Sequence, residues 1–176
     1  MAGCCSIDPY THFTTIIIGD GPLEIATALH LSSYGELTAL VQSEFSQKRT
    51  EQFFSEFKPF IEENSEMPWN LEELEDDMHL ILLNGHITIG KNNTIIIEDK
   101  EIYGKKIFSE YDTLKKIGFL NKTIQPYSKK EMYKKVSDNL WLLHPVDGQL
   151  HETIWRDAED FAKYFVRGER ENRRFK

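Results

Sequence analysis

The chain has 176 residues and a mass of 20.6 kDa, with 40% hydrophobic and 12% aromatic residues and a formal net charge of −8 at pH 7. That length gives one domain a proper core and leaves no room for a complete two-domain dehydrogenase or flavoenzyme. No apolar run approaches the roughly 18 residues of a membrane span, and Cys4 and Cys5, the only cysteines, cannot build a disulfide framework or a four-thiolate zinc site.

The first stretch, MAGCCSIDPYTHF, has no basic segment followed by an apolar one, so no signal peptide is expected and a cytoplasmic address follows. Glycine stands at position 3 rather than 2, which removes the myristoylation pattern, and Cys4-Cys5 reads as a reduced tail, with acylation as the alternative. Thr15 to Ile18 is a β-branched run that predicts a buried strand ending at Gly19-Asp20-Gly21-Pro22. Pro22 suits a first helical turn, where a missing N–H costs nothing. A helix follows with Ile25, Ala28, Leu29 and Leu31 turned to a sheet, and it stops at Ser32-Ser33-Tyr34-Gly35. Leu37 to Val41 predicts the second strand, which completes the front half of a βαβ unit.

Ser46 is placed to cap a helix reaching about Glu63, with Phe53, Phe54, Phe57 and Phe60 as its apolar stripe and Pro59 as a kink or early stop. Leu71 to Asp77 reads as a short acidic helix, and Met78 to Leu83 as the third core strand, ending at Asn84-Gly85. His86 to Gly90, Thr94 to Glu98 and Ile102 to Phe108, separated by Lys91-Asn92-Asn93 and Asp99-Lys100-Glu101, predict an antiparallel meander. Tyr111 to Ile117 and Lys129 to Val136 are predicted short helices with Pro126 between them, and Leu140 to Leu143 a short strand. Leu150, Ile154, Ala158, Phe161 and Phe165 recur at helical spacing and predict an amphipathic helix from about Gln149 to Phe165. The expected organisation is a tail over residues 1–13, an α/β core with meander over 14–108, and a lysine-rich helical part over 109–176 packed on the same domain.

Charge divides the chain. Residues 1–80 carry 15 acidic and 3 basic side chains, whereas residues 81–176 carry 14 acidic and 18 basic ones. The lysines near Tyr127 and Tyr133 are a candidate nucleic-acid surface, but mixed runs of this kind read first as solvated faces, so no nucleic-acid partner is expected and protein partners could use the charged patches.

The segment IIIGDGPLEIATALHLSSYG resembles the first βα segment of FAD- and NAD(P)-binding Rossmann proteins of the pyridine-nucleotide-disulfide oxidoreductase type, through Gly19, Gly21, Pro22, Ala28, Leu29, Leu31 and Gly35. TIIIEDKEIYGKKIF, Thr94 to Phe108, is similar to that family's meander. The resemblance implies a Rossmann-like α/β fold and a dinucleotide cofactor, FAD or NAD(P), held by Gly19, Asp20, Gly21, Pro22 and Gln42, in a minimal or remnant oxidoreductase. Glu24 stands where the fingerprint's third glycine falls, and Gln42 where the ribose-binding acid is expected, with Glu44 two residues on. Lys106-Ile107-Phe108 runs into Ser109-Glu110-Tyr111 without an Ala-Thr-Gly-like turn. These departures raise a non-catalytic interaction module with a vacated nucleotide site as an alternative.

The same turn is similar to the first motif of S-adenosylmethionine-dependent methyltransferases, whose cationic ligand would tolerate Asp20 and Glu24. Leu23 stands where that family's last glycine would lie, and Ile17 where an acid is usual. Two other constellations are visible. His12-Phe-Thr14, His86-Ile-Thr88 and His151-Glu-Thr153 are H-x-T triplets of the kind that 2H phosphoesterases pair on neighbouring strands. His144, Asp147, His151 and Glu152 have metal-ligand side chains, but Pro145 and Gly148 keep them off one helical face, and no metal site is expected. No residue carries a catalytic assignment.

Overall fold

The computed structural model describes residues 11–64, 66–76, 79–91, 94–119, 132–144 and 148–174. In chain order the elements are β1 (His12–Ile18), α1 (Pro22–Ser33), β2 (Thr38–Gln42), α2 (Gln47–Glu56), α3 (Lys58–Glu62), α4 (Leu71–Asp76), β3 (Leu80–Asn84), β4 (Ile87–Ile89), β5 (Ile95–Ile97), β6 (Lys100–Glu110), α5 (Tyr111–Lys116), β7 (Tyr133–Ser137), β8 (Leu140–Leu143) and α6 (His151–Arg174).

Strands β3, β2, β1, β6 and β8 lie side by side and parallel, and β7 closes the far edge antiparallel to β8. β4 and β5 form the predicted meander against the first residues of β6, which also pairs with β1 from Tyr103 to Ser109. β6 therefore belongs to both sheets. Side chains alternate along the parallel strands and divide the core in two. Ile17 and Leu40 pack with α1, α2, α3 and α6, whereas Ile16, Ile18, Ala39 and Val41 pack with Ile95, Ile97 and Ile102 of the meander. Gly104 lets β6 pack against the Ile16 side chain of β1, since a Cβ there would stand 2.6 Å from Cγ1 of Ile16. The mixed α/β architecture with a meander and a long C-terminal helix agrees with the sequence reading.

Helix α1 is buried from Leu23 to Ser32, including Glu24, Thr27 and His30. The sheet covers one side of it and α6 another, so its polar residues are inside as well. The helix expected over Ser46 to Glu63 is two helices with a break at the fully buried Phe57. Pro59 lies in the first turn of the second helix and has no N–H to offer an unbroken one.

The helix expected over Lys129 to Val136 is corrected: Lys129, Lys130 and Glu131 lie outside the described residues, and Tyr133 to Ser137 is strand β7. Its side chains alternate, Tyr133 stacking on Phe161 of α6 and Val136 packing on the opposite side of the sheet. Asp138-Asn139 is the two-residue turn that joins it to β8. The chain turn after β5 sits at Glu98-Asp99, one residue earlier than the sequence suggests, with Glu98 at φ 55°. α6 continues well past Phe165, because Ala162, Phe165 and Val166 prolong its buried stripe and i,i+4 pairs such as Lys163–Glu159, at 2.7 Å, line its outer face.

Candidate functional site

β1, β2 and β6 end together, and the turn after β1 opens there into a cleft of about 440 Å³. Its lining includes Gly19, Asp20, Gly21, Gln42, Arg49 and Glu110. The carboxyl edge of a parallel sheet is where α/β proteins place ligands, because the loops there diverge and the helix N-termini point inward. Of the five residues read from sequence as cofactor contacts, four line this cleft, and Pro22 is the first residue of α1 just behind it.

Gly19 adopts φ +148°, which a side chain would resist, and Gly21 is the N-cap of α1 with no side chain capping the helix. Asp20 is held from across the cleft: Ser46 donates to its Oδ2 at 2.8 Å and Arg49 to its Oδ1 at 3.1 Å. Ser46 thus spends its hydroxyl on Asp20 rather than on capping α2. The Arg49 side chain is 71% exposed, so this ion pair is screened and exchangeable.

Gln42 is buried at the end of β2, and its Oε1 accepts a hydrogen bond from Thr50 at 2.9 Å. The same hydroxyl lies 3.2 Å from the Ser46 carbonyl, and the shorter contact, to Gln42, takes its single proton and orients the amide. Its NH2 group has no acceptor in the protein. A buried donor left unpaired costs about 1 to 3 kcal/mol.

Glu24 is 1% exposed and folds up beneath the turn. A Cβ on Gly21 would collide with its carboxyl group, and one on Gly19 would lie 2.7 Å from its Cγ. No amide or hydroxyl of another residue reaches either carboxyl oxygen. Burial, then the hydrogen bond and charge of the neighbouring Glu110, and finally the charge of Asp20 hold this carboxyl well above its ordinary pKa, offset in part by its own backbone amide. Burial and the neighbouring Glu110 thus favour the protonated form of Glu24 under the turn.

The remaining motifs do not meet here. His12 bonds to Thr11 at 2.9 Å and stacks on Tyr103, His86 is an exposed turn residue, and His151 faces Glu56 at 3.3 Å. Asp147 lies outside the described residues, and among the described ones no three His, Cys, Asp or Glu side chains form a metal-ligand group. Sequence reasoning missed Ser46 and Arg49 as partners of Asp20, Thr50 as the orienting group for Gln42, and Glu110 as the partner of Glu24. All four depend on contacts between elements distant in the chain. Only the i,i+4 relation of Ser46 and Thr50, on one face of a predicted helix, was visible beforehand.

No protein-family profile matches the sequence, and no curated protein is similar to it in sequence. Among solved structures, THI4 of Thermovibrio ammonificans superposes with a TM-score of 0.52 at 9% identity, over 94% of either chain. The fold is Rossmann-like. The HOCl-induced flavoprotein disulfide reductase RclA of Escherichia coli matches 55% of the chain, with TM-score 0.37 and 21% identity, and the chain spans only 27% of that reductase. A thioredoxin reductase of Streptococcus pyogenes matches 57% of the chain, with TM-score 0.36 and 16% identity, over 35% of its own length. Among the described residues no helix is long and apolar enough to cross a membrane.

Proposed function

We propose that this chain binds a dinucleotide cofactor, FAD or NAD(P), in the cleft at the β1–α1 turn. The observation that carries the reading is the Gln42 amide. Thr50 holds it with its NH2 group unpaired beside the glycine turn, at the strand end where a ribose would lie. Gln42 would donate to a ribose oxygen, the uncapped N-terminus of α1 would face the pyrophosphate, and Arg49 would exchange Asp20 for a phosphate oxygen. Burial and Glu110 both disfavour a charge on Glu24, which eases the approach of that phosphate. A bound flavin or nicotinamide would supply hydride chemistry, and the residues described here would bind and orient it, as in a minimal or remnant oxidoreductase.

A second reading rests on the same Glu24. Its carboxyl group fills the space under Gly19 and Gly21, as expected of a protein that kept the fold, vacated the nucleotide site and turned to protein partners. Equilibrium binding separates the two. The full chain and Gly21→Trp are titrated with FAD, NAD(H), NADP(H) and S-adenosylmethionine. The cofactor reading expects saturable binding of one dinucleotide and its loss in Gly21→Trp. Binding of none by the parent chain, with affinity appearing in Glu24→Gly, favours the vacated site. Saturable binding of S-adenosylmethionine alone makes the cleft a methyltransferase-type site.

A further inference from the structure

A second cavity, of about 430 Å³, lies away from the glycine turn between the β6–β8–β7 edge and the last described turns of α6. Strand register builds it. Phe108 of β6 and Lys135 of β7 are the partners of Trp141 in β8, so Lys106, two residues before Phe108, and Lys135 share the face on which Trp141 stands. Tyr164, Phe165, Arg167, Gly168 and Glu169 of α6 wall it from above. On a chain of net charge −8 this lining carries three cationic side chains and one carboxylate.

Three observations concern a ligand. Two of the cations have partners at the rim: Lys106 donates to the Asp138 carbonyl and lies 3.6 Å from Glu169, and Lys135 lies 3.4 Å from an Asp138 carboxylate that is 99% exposed. The indole N–H of Trp141 is buried without an acceptor. Gly168 interrupts a long helix, where glycine is unfavourable, yet a Cβ there would meet no atom within 4 Å. Packing within the described chain gives no reason for that glycine, whereas close approach of a ligand to the helix backbone does. Tyr164, 72% exposed, offers an aromatic face beside it.

We propose that this cavity is a separate binding site for a small aromatic anion, a nucleobase-sized ring carrying a phosphate. The ring lies against Tyr164 and the Gly168 backbone, and the phosphate takes Lys106, Lys135 and Arg167. The site is independent of the cofactor cleft, and the two fail separately.

The test is calorimetric titration of the full chain with AMP, adenosine and inorganic phosphate. AMP should bind saturably, and adenosine and phosphate should each bind about tenfold more weakly or less, the loss expected for removing a stacked base or its charge. Tyr164 is 72% exposed and a Cβ on Gly168 meets no atom within 4 Å, so Tyr164→Ala should keep the parent unfolding temperature, Gly168→Leu should keep or raise it, and each should weaken AMP by about tenfold. In Gly21→Trp, with the cofactor cleft blocked, AMP should still bind saturably at one site. The proposal is overturned if AMP fails to bind at about 10 mM, if phosphate alone binds as tightly as AMP, or if Gly21→Trp abolishes binding that Tyr164→Ala and Gly168→Leu spare.

Discussion

Thr50 donates its hydroxyl proton to the side-chain carbonyl of Gln42 over 2.9 Å, and the Gln42 NH2 group is left buried without an acceptor at the end of β2. Thr50→Val keeps the shape and removes the donor. The amide then loses its fixed orientation, and dinucleotide affinity should fall by about three- to tenfold, the equivalent of one neutral hydrogen bond. Unfolding stability should drop by only about 1 kcal/mol. Titration and urea unfolding of the same variant separate the two effects.

Glu24 makes a prediction with a definite sign. Its folded pKa is raised well above the 4.5 of the free group. The stability it contributes is therefore fully present below about pH 4.5 and is lost as pH rises towards the folded value, because the unfolded chain gives up the proton first. Glu24→Gln is neutral at every pH and keeps the shape. Stability measured by urea unfolding from about pH 5 to pH 8 should decline less in Glu24→Gln than in the parent chain. A parallel decline in both would place the proton elsewhere.

His30 works in the opposite direction. It is buried in α1 against Trp155, and burial lowers its pKa from 6.5 to about 4. Between those values the unfolded chain takes up a proton that the folded chain refuses, so stability falls as pH drops through this window and levels off below about pH 4. The loss is on the order of 3 kcal/mol. His30→Leu should lose much less between about pH 7 and pH 4.5.

The fold was legible where local pattern and tertiary demand coincide. The β-branched run Thr15 to Ile18, the Gly-x-Gly-Pro turn and the stripe from Ile154 to Phe165 each state one element unambiguously. Lys129 to Val136 was misread because lysines at short spacing suit a helix. The structure instead uses the alternation of Tyr133 and Val136, the turn Asp138-Asn139 and the open edge of β8, which together outweigh propensity. The double membership of β6 could not be read, since nothing local says that an eleven-residue strand pairs with a meander at one end and with β1 along most of its length. At the site, the glycine turn and Gln42 were visible as types in sequence. Their partners Arg49, Thr50 and Glu110 emerge only when α2 and the end of β6 close on the turn.

Tyr133 ties the corrected strand β7 to helix α1. Thr27 gives its single proton to the Leu23 carbonyl at 2.6 Å, so the Tyr133 hydroxyl, 2.7 Å away, is the donor to Thr27. Burial raises this phenol's pKa and keeps it protonated for that role. Tyr133→Phe preserves the stacking on Phe161 at 3.8 Å and should cost about 1 kcal/mol in urea unfolding. A loss near zero would mean that Tyr133 does not donate to Thr27.

Thermal unfolding of the full chain with FAD, NAD(H), NADP(H) or S-adenosylmethionine at about 1 mM is the most direct test of the cleft reading. A dinucleotide present at about 100 times its dissociation constant should add about 2.7 kcal/mol, a shift of several degrees, and Gln42→Leu should reduce that shift. No shift with any dinucleotide, or a shift that Gly21→Trp leaves unchanged, contradicts the account.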